Sequence, residues 1–190
     1  MFAYETLLSF QVDKLKCVSL ILEIVRRIIY KKFKRIIDRG GQCQMEVIRA
    51  TMAHIEDVTI LFDKYRQFYG EKSDLKSAKA FLQLRLSLNE SVLFLAVQDG
   101  NVIGFAQLYP TFSSIAMQRA FILNDLYVIE DARGTGAGNA LIETVFQYCQ
   151  EQHARYVTLQ TAPDNVIARG LYERVGMEQD EYCNYVKYFK

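Results

Sequence analysis

The chain has 190 residues, of which 51% are hydrophobic and 13% aromatic, a composition that allows a buried core and is not typical of a disordered protein. Its net charge of +1 is unevenly distributed. Residues 1–44 carry nine basic and four acidic side chains (net +5), whereas residues 45–190 carry 14 basic and 18 acidic ones (net −4). A body without a basic excess is not typical of a nucleic-acid-binding protein, so we expect no nucleic-acid partner.

The basic extension, residues 1–44, contains an amphipathic helical pattern. Apolar residues recur at steps of three and four from Leu15 to Ile36, with basic residues between them. The run is too short and too charged to span a membrane, and its charge follows the apolar part, unlike in a secretion signal. Three interpretations stay open: a helix packed on its own domain or a second subunit, a stretch upstream of a natural start at Met45, or a helix over residues 15–37 on an anionic membrane.

The cysteines and histidines are scattered. None of them form a C-x-x-C pair or lie at zinc-ligand spacing: Cys17, Cys43, Cys149, Cys183, His54 and His153. We therefore expect no metal site, and we expect reduced thiols in a cytoplasmic protein.

The first half of the body predicts a strand, two helices and a hairpin. Thr51 follows a short strand, Glu46–Ala50, and can cap the helix after it. The Asp-Gly turn at 99–100 between two apolar runs is the strongest short-range hairpin signal. The predicted helices and hairpin strands are Ala53–Tyr69 (ended by Gly70), a second helix from Ser73, and the strands Val92–Gln98 and Val102–Tyr109.

The second half alternates strands and helices around a glycine-rich segment. The predicted order is a polar loop at Pro110–Ala116, a strand at Arg119–Val128, a helix at Ala137–Gln152, a buried strand at Tyr156–Thr161, a helix at Asn165–Arg174 closed by Gly176, and one or two strands within Tyr182–Phe189. Together these elements predict an α/β fold with a mixed sheet, one that does not follow the dinucleotide-binding order.

Arg133-Gly134-Thr135-Gly136-Ala137-Gly138 lies between a predicted strand and a predicted helix. Glycines allow positive φ and close approach of a ligand, and a helix N-terminus offers unpaired N–H groups that bind phosphate. The segment lacks the lysine of a P-loop, and its G-x-G-x-G spacing differs from the dinucleotide fingerprint. A loop that is glycine-rich only because its turn is tight remains an alternative at this point.

Leu126–Val128 followed by this loop resembles the acyl-CoA loop of the GCN5-related N-acetyltransferase (GNAT) superfamily, in which a strand leads into R/Q-x-x-G-x-G/A and a helix. The run from Asn165 through Leu171-Tyr172 to Gly176-Met177 is similar to the second motif of that family, with Met177 where the family usually has Phe. The resemblance covers residues 45–190 and implies a GNAT-like, mostly antiparallel sheet flanked by helices, with residues 1–44 as an N-terminal extension. It implies acetyl-CoA as co-substrate and no metal.

The resemblance also assigns roles to residues. It implies that the backbone of Leu126, Tyr127 and Val128 pairs with the pantetheine arm and that the Val128 N–H polarises the acetyl carbonyl. It implies that Tyr172 protonates the leaving thiolate. The cofactor-binding set is completed by Asn165 on the arm and by the pyrophosphate cradle formed by Arg133, Gly134, Thr135, Gly136, Ala137, Gly138 and Asn139.

The acceptor side is less defined. Asp125 is the candidate general base or amine-binding carboxylate, and other relatives use water instead. Three tyrosine-rich segments are expected to line the acceptor pocket: Tyr65–Tyr69, Tyr109–Ile115 and Tyr182–Tyr188. The acidic body and these aromatics favour a cationic acceptor. A polyamine, an amino acid and a protein lysine all stay open. A short stretch of the sequence is similar to the histone- and polyamine-acetylating branch of the family.

Two other functions remain open from the sequence. One is a non-catalytic acyl-CoA-binding sensor or interaction module, and the other is a membrane-peripheral protein led by its N-terminal helix. A homodimer through the extension or the C-terminal strand is compatible with either function.

Overall fold

A computed structural model describes residues 45–189, so the predictions for residues 1–44 lie outside the described residues. One five-stranded sheet runs through the described part, in the order β1-β2-β3-β4-β5. The first three pairs are antiparallel, and β4 and β5 are parallel. The strands are β1 Met45–Arg49, β2 Val92–Gln98, β3 Asn101–Ser113, β4 Gln118–Val128 and β5 Val157–Thr158.

In the described range, four α-helices flank this sheet, which confirms the predicted mixed and mostly antiparallel α/β fold. They are α1 Ile55–Phe68, α2 Leu75–Ser87, α3 Ala137–Glu151 and α4 Val166–Arg174, with 3-10 turns at Met52–His54 and Glu130–Ala132. Thr51 caps the first turn in a reciprocal capping box with His54, as its position predicts for a helix start. The hairpin turn has positive φ at Asp99 (51°) and Gly100 (80°), as a type I′ turn requires.

The core has two layers because successive side chains of a strand point to opposite faces of the sheet. On one face, α1 and α2 bury Val58 and Leu82 against side chains such as Phe105. On the other face, α3 buries Leu141 against side chains such as Phe121. We call these the α1/α2 face and the α3 face.

The structure corrects three sequence predictions. β3 continues to Ser113 and stays paired with β4 through the stretch predicted as a loop, because Pro110, Thr111 and their neighbours face β4 residues in register. The last sheet strand is shorter than Tyr156–Thr161 and only partly buried, because it pairs with β4 at Val157 and Thr158 alone.

The predicted strand within Tyr182–Phe189 is also wrong. These residues form no strand, and Tyr185 is 91% exposed. Alternating aromatic residues favour a strand, but a strand also needs a partner edge for its backbone, and no described strand pairs with this segment. The predicted role of Tyr182–Tyr188 as a pocket wall stays a prediction.

Candidate active site at the opening between β4 and β5

A β-bulge at Asn124 creates the central opening of the molecule. Gln107 of β3 faces Asp125, and Leu108 faces Leu123, so Asn124 is the extra residue of β4. Before the bulge, Phe121 and Ile122 pair with β5; after it, β4 pairs only with β3 among the described strands. Residues 125–128 therefore keep one strand edge without a β partner in the described part of the chain.

The N–H groups on that edge belong to Leu126 and Val128. Ile129 donates its N–H to the Ile103 carbonyl of β3 at 2.9 Å. Alternate residues of a strand donate toward the same neighbour, so the N–H groups of Tyr127 and Asp125 also point toward β3. The N–H groups of Leu126 and Val128 then point into the opening, where an extended ligand arm can add as a strand.

The glycine loop leads from β4 into α3 with the backbone that the sequence predicts. Gly134 and Gly136 have φ values of +80° and +93°, and a Cβ at either would meet nothing within 4 Å, so these glycines serve backbone conformation and not close packing. Gly136 is the N-cap of α3 and supplies no side-chain acceptor to the first turn. The N–H groups at the start of this 15-residue helix, including those of Gly138 and Asn139, thus face a space that suits a phosphate.

Gly138 has a different role, since its φ is not in the left-handed region. A Cβ there would approach Leu171 Cδ2 of α4 to 3.2 Å, so glycine allows α3 and α4 to pack closely. Thr135 turns its hydroxyl inward and donates to the Ala132 carbonyl at 2.7 Å, which fixes the turn. Buried Ala137 anchors the first turn of α3 in the core.

Arg133 connects the loop to two other elements. Its Nε donates to the Val128 carbonyl at 3.3 Å, and its guanidinium lies 6.0 Å from the ring centroid of Phe68 at the end of α1. These two contacts orient the guanidinium of this exposed residue toward the end of β4 and the end of α1.

Helix α4 carries Tyr172. Tyr172 is half-buried and packs on the α3-face core, together with Val128. Burial, and then the nearby phenol of Tyr69, raises the pKa of Tyr172 above its usual value, so its hydroxyl keeps its proton at neutral pH. A protonated hydroxyl at this place can donate a proton to a leaving group.

The side chain of Asn165 has a structural role as the N-cap of α4. Its Oδ1 accepts the Ala168 N–H at 3.3 Å and caps α4, so only its Nδ2 can donate to a ligand arm. The predicted contact with the ligand therefore depends on Nδ2 alone, because Oδ1 is used to cap α4.

Asp125 is buried on the α1/α2 face, directly after the bulge, and is 4% exposed. Asn124 Nδ2 donates to its Oδ1 at 3.0 Å, and its Oδ2 has no hydrogen-bond partner among residues 45–189. Burial raises the pKa of this carboxyl to about 6, an increase partly offset by the hydroxyl of Tyr65 and the amide of Asn124. The group is consequently ionised at neutral pH but close enough to its pKa to take up a proton.

Two residues of this site, Tyr65 and Gln107, were not singled out by sequence reasoning as individual site residues. The Tyr65 hydroxyl donates to the Asn124 carbonyl at 3.5 Å, and its ring packs against Tyr69 and Tyr127. Gln107 is fully buried beside Asp125. A signal for Gln107 was available, because it is the one polar residue within the apolar run of residues 102–108.

The site thus combines an open strand edge, an uncapped helix N-terminus with a cation beside it, a protonated phenol and a buried carboxylate. The first two suit the pantetheine and pyrophosphate of a CoA thioester. Residues 45–189 contain no group of three or more His, Cys, Asp or Glu side chains placed to hold a metal ion. No helix within this range is long and apolar enough to cross a membrane.

Comparisons with known proteins agree with this class of site. The profile of the acetyltransferase (GNAT) family matches residues 57–177. An uncharacterized N-acetyltransferase of Bacillus subtilis (strain 168), YhfO, is 45% identical over 143 residues, which are 73% of this chain and 96% of the relative. The protein belongs to the GNAT family and is an acetyltransferase, and this family uses acetyl-CoA as co-substrate.

Solved structures agree on the fold. A crystal structure of a probable acetyltransferase superposes with a TM-score of 0.74 at 39% identity, covering 76% of this chain and 98% of that one. An aminoglycoside N-acetyltransferase in complex with CoA superposes with a TM-score of 0.67, covering 78% and 97%. At an identity of 20%, this match shows similarity of fold only.

Proposed function

We propose that this protein transfers an acetyl group from acetyl-CoA to a primary amine by direct attack in a ternary complex. The proposal is supported by the open edge of β4, which leads directly into the glycine loop and the N-terminus of α3, and by Tyr172, which packs on the same core cluster as Val128. Polyamines, amino acids and protein lysines are the acceptor classes to compare. Holding an amine and a thioester together in line provides much of the rate of such a reaction.

Binding of acetyl-CoA is assigned to the loop and the open edge. The pyrophosphate would accept hydrogen bonds from the backbone N–H groups between Arg133 and Asn139, with the Arg133 guanidinium beside it. The pantetheine arm would pair with the backbone of Leu126–Val128, and Asn165 would donate to it through Nδ2. The Val128 N–H would then stabilise negative charge that develops on the acetyl oxygen.

In the chemical step a C–N bond forms and the C–S bond breaks. The amine nitrogen loses a proton to Asp125 or to water, the departing thiolate receives one from the Tyr172 hydroxyl, and the Tyr172 phenolate regains a proton from solvent. Asp125 has one of two roles toward the amine: it takes up the proton, directly or through water, or it binds the ammonium group. Its ionised state near neutral pH allows either role.

The test begins with calorimetric titration of acetyl-CoA into the wild type and into Gly136→Glu. Glutamate places bulk and negative charge in the proposed phosphate site, so binding should be lost. Gly136→Ala is the matched control, because it introduces the same unfavourable positive φ without bulk or charge and its Cβ meets nothing within 4 Å. This variant should keep most of the binding.

Tyr172→Phe then tests the chemical step. It should bind acetyl-CoA like the wild type, while kcat with the best amine of a screen falls by about two to three powers of ten. Failure of a well-folded wild type to bind acetyl-CoA would overturn the proposal. Binding by Gly136→Glu as tight as that of the wild type would refute the assignment of the loop.

A further inference from the structure

The last residue of α1, Phe68, carries an exposed aromatic ring that contacts the glycine loop. Phe68 is 60% exposed and belongs to neither of the two core clusters. The guanidinium of Arg133 lies 6.0 Å from its ring centroid, at the outer limit of a cation–π contact. Tyr69 packs at right angles against the same ring, with the two centroids 5.2 Å apart. The ring thus has one neighbour on its own helix and one, Arg133, far away in the sequence.

Arg133 ends the open edge of β4. In an antiparallel strand the N–H and the carbonyl of one residue point to the same side, so the carbonyl of Val128 lies on the open edge, as its N–H does. Arg133 Nε donates to this carbonyl at 3.3 Å. An extended arm that pairs with Leu126 and with the Val128 N–H therefore finds the next acceptor occupied. The guanidinium marks the point at which such an arm has to leave β4.

The guanidinium keeps the capacity to bind an anion. Within residues 45–189 no carboxylate forms an ion pair with Arg133, and Nε donates its only side-chain hydrogen bond in that range. The two terminal amino groups of the guanidinium are left for a ligand. A guanidinium that is already fixed in place loses less side-chain entropy on binding a phosphate than one that first has to be ordered.

We propose that Phe68 is a positioning residue for acetyl-CoA: its ring holds the guanidinium of Arg133 in the orientation that binds the pyrophosphate, where the pantetheine arm leaves β4. This inference rests on the proposed binding of acetyl-CoA at the glycine loop. It moves Phe68 from the acceptor side, where the sequence places the segment Tyr65–Tyr69, to the acetyl-CoA side. Phe68 touches neither reacting group and acts through Arg133.

The test compares Phe68→Leu with Phe112→Leu. Phe112 is a matched control, because it is 70% exposed and lies 5.9 Å below another guanidinium, that of Arg119, near the end of β3. Leucine removes an exposed aromatic ring at both places, so both variants should melt close to the wild type. Calorimetric titration should give a Kd for acetyl-CoA about three- to tenfold higher in Phe68→Leu and unchanged in Phe112→Leu.

Steady-state kinetics separate the two sides on which Phe68 can act. With the best amine of the screen, Phe68→Leu should raise KM for acetyl-CoA by a similar factor and leave KM for the amine unchanged. A wall of the acceptor pocket would give the reverse pattern. Phe68→Trp presents the ring that binds cations best and should keep the wild-type affinity for acetyl-CoA.

A double-mutant cycle tests whether Phe68 acts through Arg133. Arg133→Met removes the guanidinium and should weaken acetyl-CoA binding, and adding Phe68→Leu should then cause no further loss. The inference would be overturned by an unchanged Kd in Phe68→Leu, by an equal loss in Phe112→Leu, by an effect confined to KM for the amine, or by additive losses in the cycle. Each of these results requires a wild type that binds acetyl-CoA. Failure of the wild type to bind it would instead refute the proposed function itself.

Discussion

Within residues 45–189 two carboxylates are buried in opposite surroundings, Asp63 on α1 and Asp125 on β4. Asp63 is 2% exposed and accepts hydrogen bonds from four donors: Ser73 Oγ at 2.6 Å, the Asp74 N–H at 2.8 Å, Gln67 Nε2 at 2.9 Å and Arg66 Nη1 at 3.4 Å. Asp125 has comparable burial but fewer donors: Asn124 Nδ2 lies 3.0 Å from its Oδ1, and the Tyr65 hydroxyl is the other group that lowers its pKa.

This difference explains the pKa values of the two groups. Burial alone would raise both. At Asp63 the hydrogen bonds from Ser73, the Asp74 N–H and Gln67, together with Arg66, more than offset burial, and its pKa lies below the usual value. At Asp125 burial prevails, and the pKa rises to about 6. Asp63 therefore stabilises the connection between α1 and α2, whereas the environment of Asp125 suits its proposed role as base or amine-binding carboxylate.

The largest expected effect comes from the same substitution at both positions. Asp125→Asn should lower kcat/KM for the best amine by about one to two powers of ten and leave the unfolding free energy equal or higher, because it removes a buried charge. Asp63→Asn should lower the unfolding free energy by about 2–3 kcal/mol, because its NH2 group replaces one acceptor oxygen and then faces two donors, either Ser73 and Gln67 or the Asp74 N–H and Arg66. Urea unfolding and steady-state rates measure the two effects. If both variants lost similar amounts of kcat/KM and of unfolding free energy, the distinction between the two carboxylates would be contradicted.

The next effect is a pH dependence of opposite sign at the two carboxylates. The folded-state pKa of Asp125, about 6, lies above its usual 3.8, so the folded protein holds this proton more tightly than the unfolded chain. The contribution of Asp125 to stability is fully present below pH 4 and is lost as pH rises through 6, by up to about 3 kcal/mol. Asp63 has a lowered pKa, so its contribution is present above its unfolded pKa and is lost as pH falls.

Thermal unfolding from pH 3 to 8 measures these contributions. Asp125→Asn should remove the wild-type loss of stability between pH 4 and 7, and it should also remove a rise of kcat/KM centred near pH 6. If Asp125 is the base, this rise should appear in kcat; if it binds the ammonium, it should appear in KM. An unchanged stability profile in Asp125→Asn would show that another group titrates there.

Sequence reasoning located the features of the site that are encoded locally. The glycines of residues 134–138 specify a turn and a helix start by their own backbone preferences, and Asp99-Gly100 specifies a hairpin. The strand predicted within Tyr182–Phe189 was wrong for a related reason. Alternating side chains favour a strand locally, but strand formation also requires a partner strand from another part of the chain.

The features that sequence reasoning missed depend on partners distant in the chain. Tyr65 reaches Asn124 from 59 residues away, and Gln107 faces Asp125 only because the bulge at Asn124 sets the register of β3 and β4. Nothing in the local sequence of β4 marks Asn124 as the bulged residue. The family resemblance implied an open edge at Leu126–Val128, but the bulge that creates this edge required the structure.

The smallest expected effect comes from removing one hydroxyl beside each carboxylate. Ser73→Ala deletes the 2.6 Å hydrogen bond to Asp63 and should lower the unfolding free energy by about 1 kcal/mol, with no change in the pH at which kcat/KM rises. Tyr65→Phe keeps the ring that packs on Phe105 and Tyr69, so its stability should change less. Because the Tyr65 hydroxyl lowers the pKa of Asp125, this variant should move the rise of kcat/KM to higher pH. The prediction would be contradicted if Ser73→Ala moved the pH at which kcat/KM rises, or if Tyr65→Phe left that pH unchanged.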